Sequence, residues 1–221
     1  MRAELGGEPT GEPIMMRSVR LSAALICCLC AWAAQASACE GQETIFEDNF
    51  ADDSGGWAMR PAVEVKDGMF VFKLPPDDMQ TDLNVTFTVK DADICSEAVW
   101  PGGDPQILGA GLLFWGEDSK DYFQFGVLNN GKFWIARKQD GKWHTIVENV
   151  ESSAINTTAG GSNTLRVKVD GNTASFFING TKVRDLRGQP PKEGWRFGLS
   201  GDNFDKDKEG RILFRKVKVT N

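Results

Sequence analysis

From Ile45 onward the chain alternates apolar and polar residues with the two-residue period of half-buried strands, and no stretch sustains the 3.6-residue period of an amphipathic helix. Phe70, Phe72 and Leu74 alternate with Met69, Val71 and Lys73, while Leu83, Val85, Phe87 and Val89 alternate with Asn84, Thr86 and Thr88. The same rhythm gives Phe123, Phe125 and Val127 one face. It sets Leu165, Val167 and Val169 against Arg166 and Lys168, and continues through Ala174, Phe176 and Ile178. Between these runs stand Asp67-Gly68, Asn130-Gly131, Asp140-Gly141, Asp170-Gly171 and Asn179-Gly180. Asn-Gly and Asp-Gly tolerate the positive φ angles of tight hairpins, so consecutive strands are antiparallel neighbours. About a dozen such strands predict an all-β, two-sheet antiparallel sandwich. Residues 90–106 break the rhythm with Asp91, Asp93, Cys95 and Trp100-Pro101-Gly102-Gly103-Asp104-Pro105, and read as a long loop.

The N-terminus has a different pattern. Met15-Met16-Arg17-Ser18-Val19-Arg20 is a short basic stretch, residues 21–34 are apolar, and Ala34-Gln35-Ala36-Ser37-Ala38 offers small residues for cleavage. This is the layout of a secretory signal, too short at its apolar run for a spanning helix. The organisation expected is a non-native extension over residues 1–14, a signal over 15–38 and one β-sandwich domain over 39–221, exported to the periplasm or beyond. No segment after residue 40 is apolar for long enough to cross a membrane as a helix.

Of five cysteines, Cys27, Cys28 and Cys30 fall inside the signal, which leaves Cys39 and Cys95 as a disulfide pair in an oxidising compartment. An alternative reading makes Ala36-Ser37-Ala38-Cys39 a lipoprotein signal with a lipid anchor on Cys39. Against it, the residue three before the cysteine is Ala36, where such signals usually carry Leu, and Cys95 would be left a lone thiol.

Removing residues 1–38 takes away Arg2, Arg17 and Arg20 together with Glu4, Glu8 and Glu12, so the formal charge stays at −6. That charge, with no basic cluster outside the strand-like Arg211-Ile212-Leu213-Phe214-Arg215-Lys216, argues against nucleic acid as a partner.

Much of the chain follows a known grammar. Asp121-Tyr122-Phe123-Gln124-Phe125-Gly126-Val127, Gly131-Lys132-Phe133-Trp134-Ile135-Ala136-Arg137 and Gly141-Lys142-Trp143 resemble the central strands of bacterial concanavalin A-like domains. The group in question is the laminin-G and keto-disaccharide-hydrolase-like one. The likeness continues through Asn163-Thr164-Leu165-Arg166-Val167-Lys168-Val169, Phe176-Phe177-Ile178-Asn179-Gly180 and Gly194-Trp195-Arg196-Phe197-Gly198-Leu199. It closes on residues 212–219, and Phe46-Glu47-Asp48-Asn49-Phe50 with Gly55-Gly56-Trp57 is also similar. The resemblance implies a jelly-roll fold and, in many members, binding of sugars or cell-surface partners. Activity has to be argued from a site.

Glycoside hydrolysis requires two carboxyl groups held across the scissile bond. Glucanases of this architecture carry Glu-x-Asp-x-x-Glu on a central strand, and this chain has no such run. His144, the single histidine, has no evident nucleophile partner, and one imidazole with two cysteines leaves too few ligands for zinc. Residues 202–210 concentrate oxygen ligands, making Asp202, Asp205, Asp207 and Glu209 candidate calcium ligands. The competing reading is a solvated acidic loop, because the EF-hand pattern fails at Lys216 and Lys206 and Lys208 neutralise the run.

Trp57, Trp143 and Trp195 stand beside turn glycines and are assigned to packing, whereas Trp100, Trp115 and Trp134 are candidates for stacking on sugar rings. If Phe123, Phe125, Phe133 and Ile135 face inward, Tyr122, Gln124 and Trp134 face outward. The candidate ligand-binding set is Trp115, Tyr122, Gln124 and Trp134, with Arg137 and Arg196 supplying hydrogen bonds. The favoured function is a non-catalytic, glycan-binding module. A structural envelope protein and a glycosidase-like hydrolase using loop carboxylates are the alternatives.

Overall fold

A computed structural model of the chain describes residues 39–102 and 106–221. The expected extension and signal at 1–38 lie outside the described residues. Among these, fourteen strands occur. They are β1 (Thr44–Asp48), β2 (Val63–Lys66), β3 (Met69–Leu74), β4 (Met79–Leu83), β5 (Ala92–Val99), β6 (Leu108–Gly116) and β7 (Tyr122–Leu128). The second half holds β8 (Lys132–Gln139), β9 (Lys142–Glu151), β10 (Ser162–Asp170), β11 (Thr173–Ile178), β12 (Thr181–Arg187), β13 (Arg196–Asn203) and β14 (Gly210–Thr220). They form two antiparallel sheets, one ordered β12-β11-β10-β5-β14-β3-β2 with β1 also on β14, the other ordered β4-β13-β6-β7-β8-β9. The fold is the two-sheet jelly-roll sandwich expected of the sequence.

Hairpin chemistry and alternation account for most of this. Asp67, Asp140 and Asn179 each take positive φ together with the glycine that follows, the geometry of two-residue hairpins. Phe70, Phe72, Phe176, Ile212 and Phe214 of one sheet meet Leu112, Phe114, Phe125, Phe197 and Leu199 of the other in one buried core. Phe176 lies 5.0 Å from Phe125 and 5.4 Å from Phe114 between ring centroids.

Two expectations are corrected. Residues 90–106 do not form one long loop: Ala92–Val99 is the strand that joins β10 to β14 in the middle of its sheet. The expected strand of Leu83, Val85, Phe87 and Val89 stops at Leu83. Val85 is then exposed, Phe87 packs on Phe46 and Phe197, and Val89 makes an isolated bridge to Trp195.

Cys39 and Cys95 are joined by a disulfide, which fastens the start of the domain to the centre of β5. That is the pairing expected of the sequence. Asp93 reinforces the join, accepting from the Glu40 backbone N–H at 3.0 Å and pairing at 2.7 Å with buried Arg166, which also reaches Glu40 at 2.9 Å.

Candidate functional site

The inward residues of β6, β7 and β8 dictate what lies on the other side. With Ala110, Leu112, Phe125, Val127, Phe133 and Ile135 in the core, the alternate positions form the outer face of the six-stranded sheet. The pairing register lines up Thr81, Ser200, Gly111, Gly126 and Trp134 side by side across five strands. On one flank run Leu83, Gly198, Leu113, Gln124 and Ala136, and on the other Met79, Asp202, Gly109 and Leu128. A strip of small residues therefore crosses the strands, with a tryptophan at one end.

The missing side chains in that strip are used by larger ones. A Cβ on Gly126 would stand 2.2 Å from the Trp134 ring, and one on Gly109 would stand 2.7 Å from Trp134 Cη2 and 3.2 Å from Asp202 Cβ. The indole thus lies across the two glycines with its outer edge beside Asp202. Similarly, a Gly111 Cβ would meet Ser200 Oγ at 2.4 Å and Gln124 Cγ at 3.4 Å, so Gln124 stretches over Gly111. Its Nε2 donates to Ser200 Oγ at 2.8 Å and to Asp202 Oδ2 at 3.0 Å.

Aromatic residues bound this polar cluster at both ends. Phe204 stands edge-on to Trp134 at 6.4 Å, and Trp143 stands edge-on to Tyr122 at 5.6 Å. Phe204 and Trp143 are 50% and 42% exposed, so the rim is reachable while Gln124, Ser200 and Asp202 lie at depth. Lys138 holds its Nζ 5.4 Å above the Tyr122 ring and donates to the Ser119 carbonyl at 3.0 Å.

The electrostatics are unusual at two groups. Burial pushes the Asp202 carboxyl up to about 7, opposed only by the Gln124 hydrogen bond. Burial likewise raises the Tyr122 phenol to about 12, so it stays protonated. Its hydroxyl lies toward Thr81 yet makes no hydrogen bond of ordinary geometry among the described residues. The face therefore offers a carboxyl poised between acid and base, a serine hydroxyl and an unused phenol. On β6, β7, β8 and β13, Asp202 is the single outward carboxyl, and on β9 the register places Glu151 beside outward Lys132.

Of the residues singled out from sequence, Tyr122, Gln124 and Trp134 do share this outer face. Trp115 does not. It is 2% exposed and packs between the sheets on Phe114 and Phe123, because its φ of 47° and the register shift opposite it turn the side chain inward. Arg137 pairs with Phe123 and lies over that ring at 5.1 Å on the inner side, where the alternation of Phe133 and Ile135 already put it. Arg196 sits at the start of β13, donating to the Glu117 carbonyl at 2.7 Å, apart from Gln124 and Asp202. Trp100 is buried with its indole N–H on the Asn156 carbonyl at 2.7 Å, and Trp143, assigned to packing, is instead half-exposed beside Tyr122.

Among the described residues, no three of the four acidic residues proposed for calcium hold their ligand atoms within 4.8 Å of one another. Asp202 belongs to β13, while the Asp205 carboxylate accepts from the backbone N–H groups of Asp207 and Lys208, both at 2.9 Å. Ser200 and Thr81 were missed, and so was the role of Asp202. Extending the inward series Phe197, Leu199, Gly201 would have found Ser200 and Asp202.

Residues 41–220 match the family described as the 3-keto-alpha-glucoside-1,2-lyase-like domain. No protein with a curated description matches the chain in sequence. Among solved structures, the carbohydrate-binding module CBM66 from Bacillus subtilis is similar at 16% identity and a TM-score of 0.55, over 83% of this chain and 97% of that one. A Bacillus licheniformis beta-glucanase is similar at 12% identity and a TM-score of 0.57, over 82% of this chain and all of its own, 100%. The laminarinase catalytic domain of Thermotoga maritima is similar at 10% identity and a TM-score of 0.59, over 82% of this chain and 99% of its own. These likenesses establish the fold.

Proposed function

We propose, from the premise that the chain belongs to the 3-keto-alpha-glucoside-1,2-lyase-like domain family, that it is an exported saccharide-binding protein whose ligand lies along the small-residue strip of the six-stranded sheet. The observation that carries this reading is the juxtaposition of Trp134 and the Gln124–Ser200–Asp202 cluster on one strip of glycines. Aromatic planes give a pyranose its apolar contact, and a few placed polar groups select its hydroxyls. Gln124 spends both Nε2 hydrogens within the cluster, which leaves the Ser200 hydroxyl hydrogen and the Tyr122 hydroxyl to donate and Asp202 to accept. The disulfide supports an oxidising compartment.

A second reading is favoured by the near-neutral Asp202. A lyase acting beside a sugar carbonyl needs one group that can take and return a proton near pH 7, and a carboxyl held at about 7 meets that need. The two readings part in one experiment on the purified protein: depletion from solution by polysaccharides, with release of reducing or unsaturated sugar followed in the same samples. Binding without release is the expected result. Release that stops in Asp202→Asn establishes the lyase reading, and the absence of both binding and release across the panel removes the proposal.

A further inference from the structure

Buried ions in the rest of the domain are compensated. Asp93 is paired with Arg166 and capped by the Glu40 N–H, and Asp82 is paired with Arg60. Asp202 is as deeply placed and has no cation. Its hydrogen bonding is limited to one amide N–H of Gln124 on Oδ2, and no lysine or arginine among the described residues forms an ion pair with it. A buried carboxylate without a positive partner is a large uncompensated cost.

What stands beside Asp202 narrows the missing partner. Trp134 Cη2 and Asp202 Cβ flank the point where a Gly109 side chain would begin, at 2.7 and 3.2 Å, and Phe204 closes on the indole edge-on. A buried carboxylate without a cation, with the edge of an indole beside it, suits an organic ammonium through charge-assisted hydrogen bonding. It suits a metal ion poorly, since one carboxylate and neutral oxygens fall short of the coordination that calcium demands. Tyr122 supplies the second sign of an absent ligand: its ring is buried on the same face and its hydroxyl is unpartnered among the described residues.

We propose that the strip selects a saccharide bearing a free amino group, its ammonium held by the Asp202 carboxylate beside the edge of the Trp134 ring. This rests on the saccharide-binding reading above. The charged groups facing the strip fix the orientation. β4 and β6 bring no outward titratable side chain, β7 brings Tyr122, β8 brings Lys132 and Lys138, β9 brings Glu151 beside Lys132, and β13 brings Arg196 at its far end. Lys138 lies over Tyr122, so the amine-bearing ring is directed to the Asp202 end and neutral rings to the Tyr122 end.

The test is calorimetric titration of the full protein at pH 7 with three tetrasaccharides of one linkage: β-1,4-linked glucosamine, its N-acetylated counterpart and the β-1,4-glucose chain. The expected result is at least about tenfold tighter binding of the amine, the scale of one charge-assisted hydrogen bond. That preference should vanish in Asp202→Asn, with the melting transition retained. Trp134→Leu, which keeps the carboxyl, should weaken all three saccharides and retain the preference for the amine. Equal binding of the three overturns the amine selectivity and leaves saccharide binding standing. Binding of none overturns it too, with the wider polysaccharide panel then deciding the proposed function by itself. A preference that survives Asp202→Asn also overturns it.

Discussion

The Asp202 carboxyl sets a measurable pH dependence of stability. Its folded value of about 7 lies above its ordinary 3.8, so the folded state keeps a proton that the unfolded chain has lost. The stabilising contribution is therefore fully present below about pH 4 and disappears as pH rises through the folded value near 7. At 1.36 kcal/mol per unit, the whole swing is about 4 kcal/mol, of which about 3 falls between pH 5 and pH 8. Asp202→Asn keeps an acceptor for Gln124 Nε2 and removes the ionisation. Its gain over the wild type should therefore grow by about 3 kcal/mol between those two pH values. Urea unfolding of both proteins at pH 5, 6, 7 and 8 measures it, and every other titrating group cancels in the difference. A gap that stays constant within about 0.5 kcal/mol across the series would refute the assignment of a buried, unpaired carboxyl.

Truncating the two tryptophans should separate packing from binding: Trp115→Ala should cost about 3 to 5 kcal/mol by urea unfolding, whereas half-buried Trp134→Ala should cost less and remove saccharide affinity. Replacing Cys39 and Cys95 by serine opens a bridge of sequence separation 56 and should cost up to about 4 kcal/mol in the chain-entropy model. Intact mass after thiol blocking should show no label before reduction and two after it. Added calcium should leave the melting temperature within about 1 °C, since Asp205 already serves backbone N–H groups; a shift abolished by Asp205→Ala with Asp207→Ala would instead reveal a site.

The strands legible in the sequence are those where inward positions are large and turns contain Asn-Gly or Asp-Gly, as at Phe123 to Val127 and Asp140-Gly141. β5 escaped because neither of its faces announces a strand. Its inward residues include Ala92, Ser96 and Ala98, and its outward ones include Asp93, Cys95 and Glu97, whose partners Arg166, Cys39 and Arg215 come from distant segments. Such a strand reads as loop until its neighbours are known. Half of the candidate face was legible through parity, which placed Tyr122, Gln124 and Trp134 together. Trp115 broke parity at a positive φ that no local residue type demands, and Asp202 was read as the start of a loop although β13 runs on to Asn203. Backbone irregularity, which alternation does not encode, accounts for the first miss. The second followed from the glycine-rich, polar composition of β13 near its end.

Asp93 and Asp202 are both deeply buried aspartates on central strands, and their surroundings separate structural from functional polarity. Around Asp93 every element contributes to fastening: a guanidinium, a backbone N–H and an adjacent disulfide hold the domain's first residues on β5. Nothing comparable is fastened by Asp202. Its one side-chain hydrogen bond among the described residues comes from Gln124, itself laid over Gly111 in the strip that also seats Trp134. An apolar residue at position 202 would relieve the ionisation cost without disturbing either sheet's core, so stability of the empty fold gives no reason for a carboxyl there. A ligand group that restores charge balance does give one. Its effect has a required sign: binding that engages the ionised carboxylate must lower the apparent ionisation point of Asp202, so a saturating ligand should shrink the stability difference between wild type and Asp202→Asn at pH 8. A saturating saccharide that leaves that difference unchanged binds elsewhere on the protein.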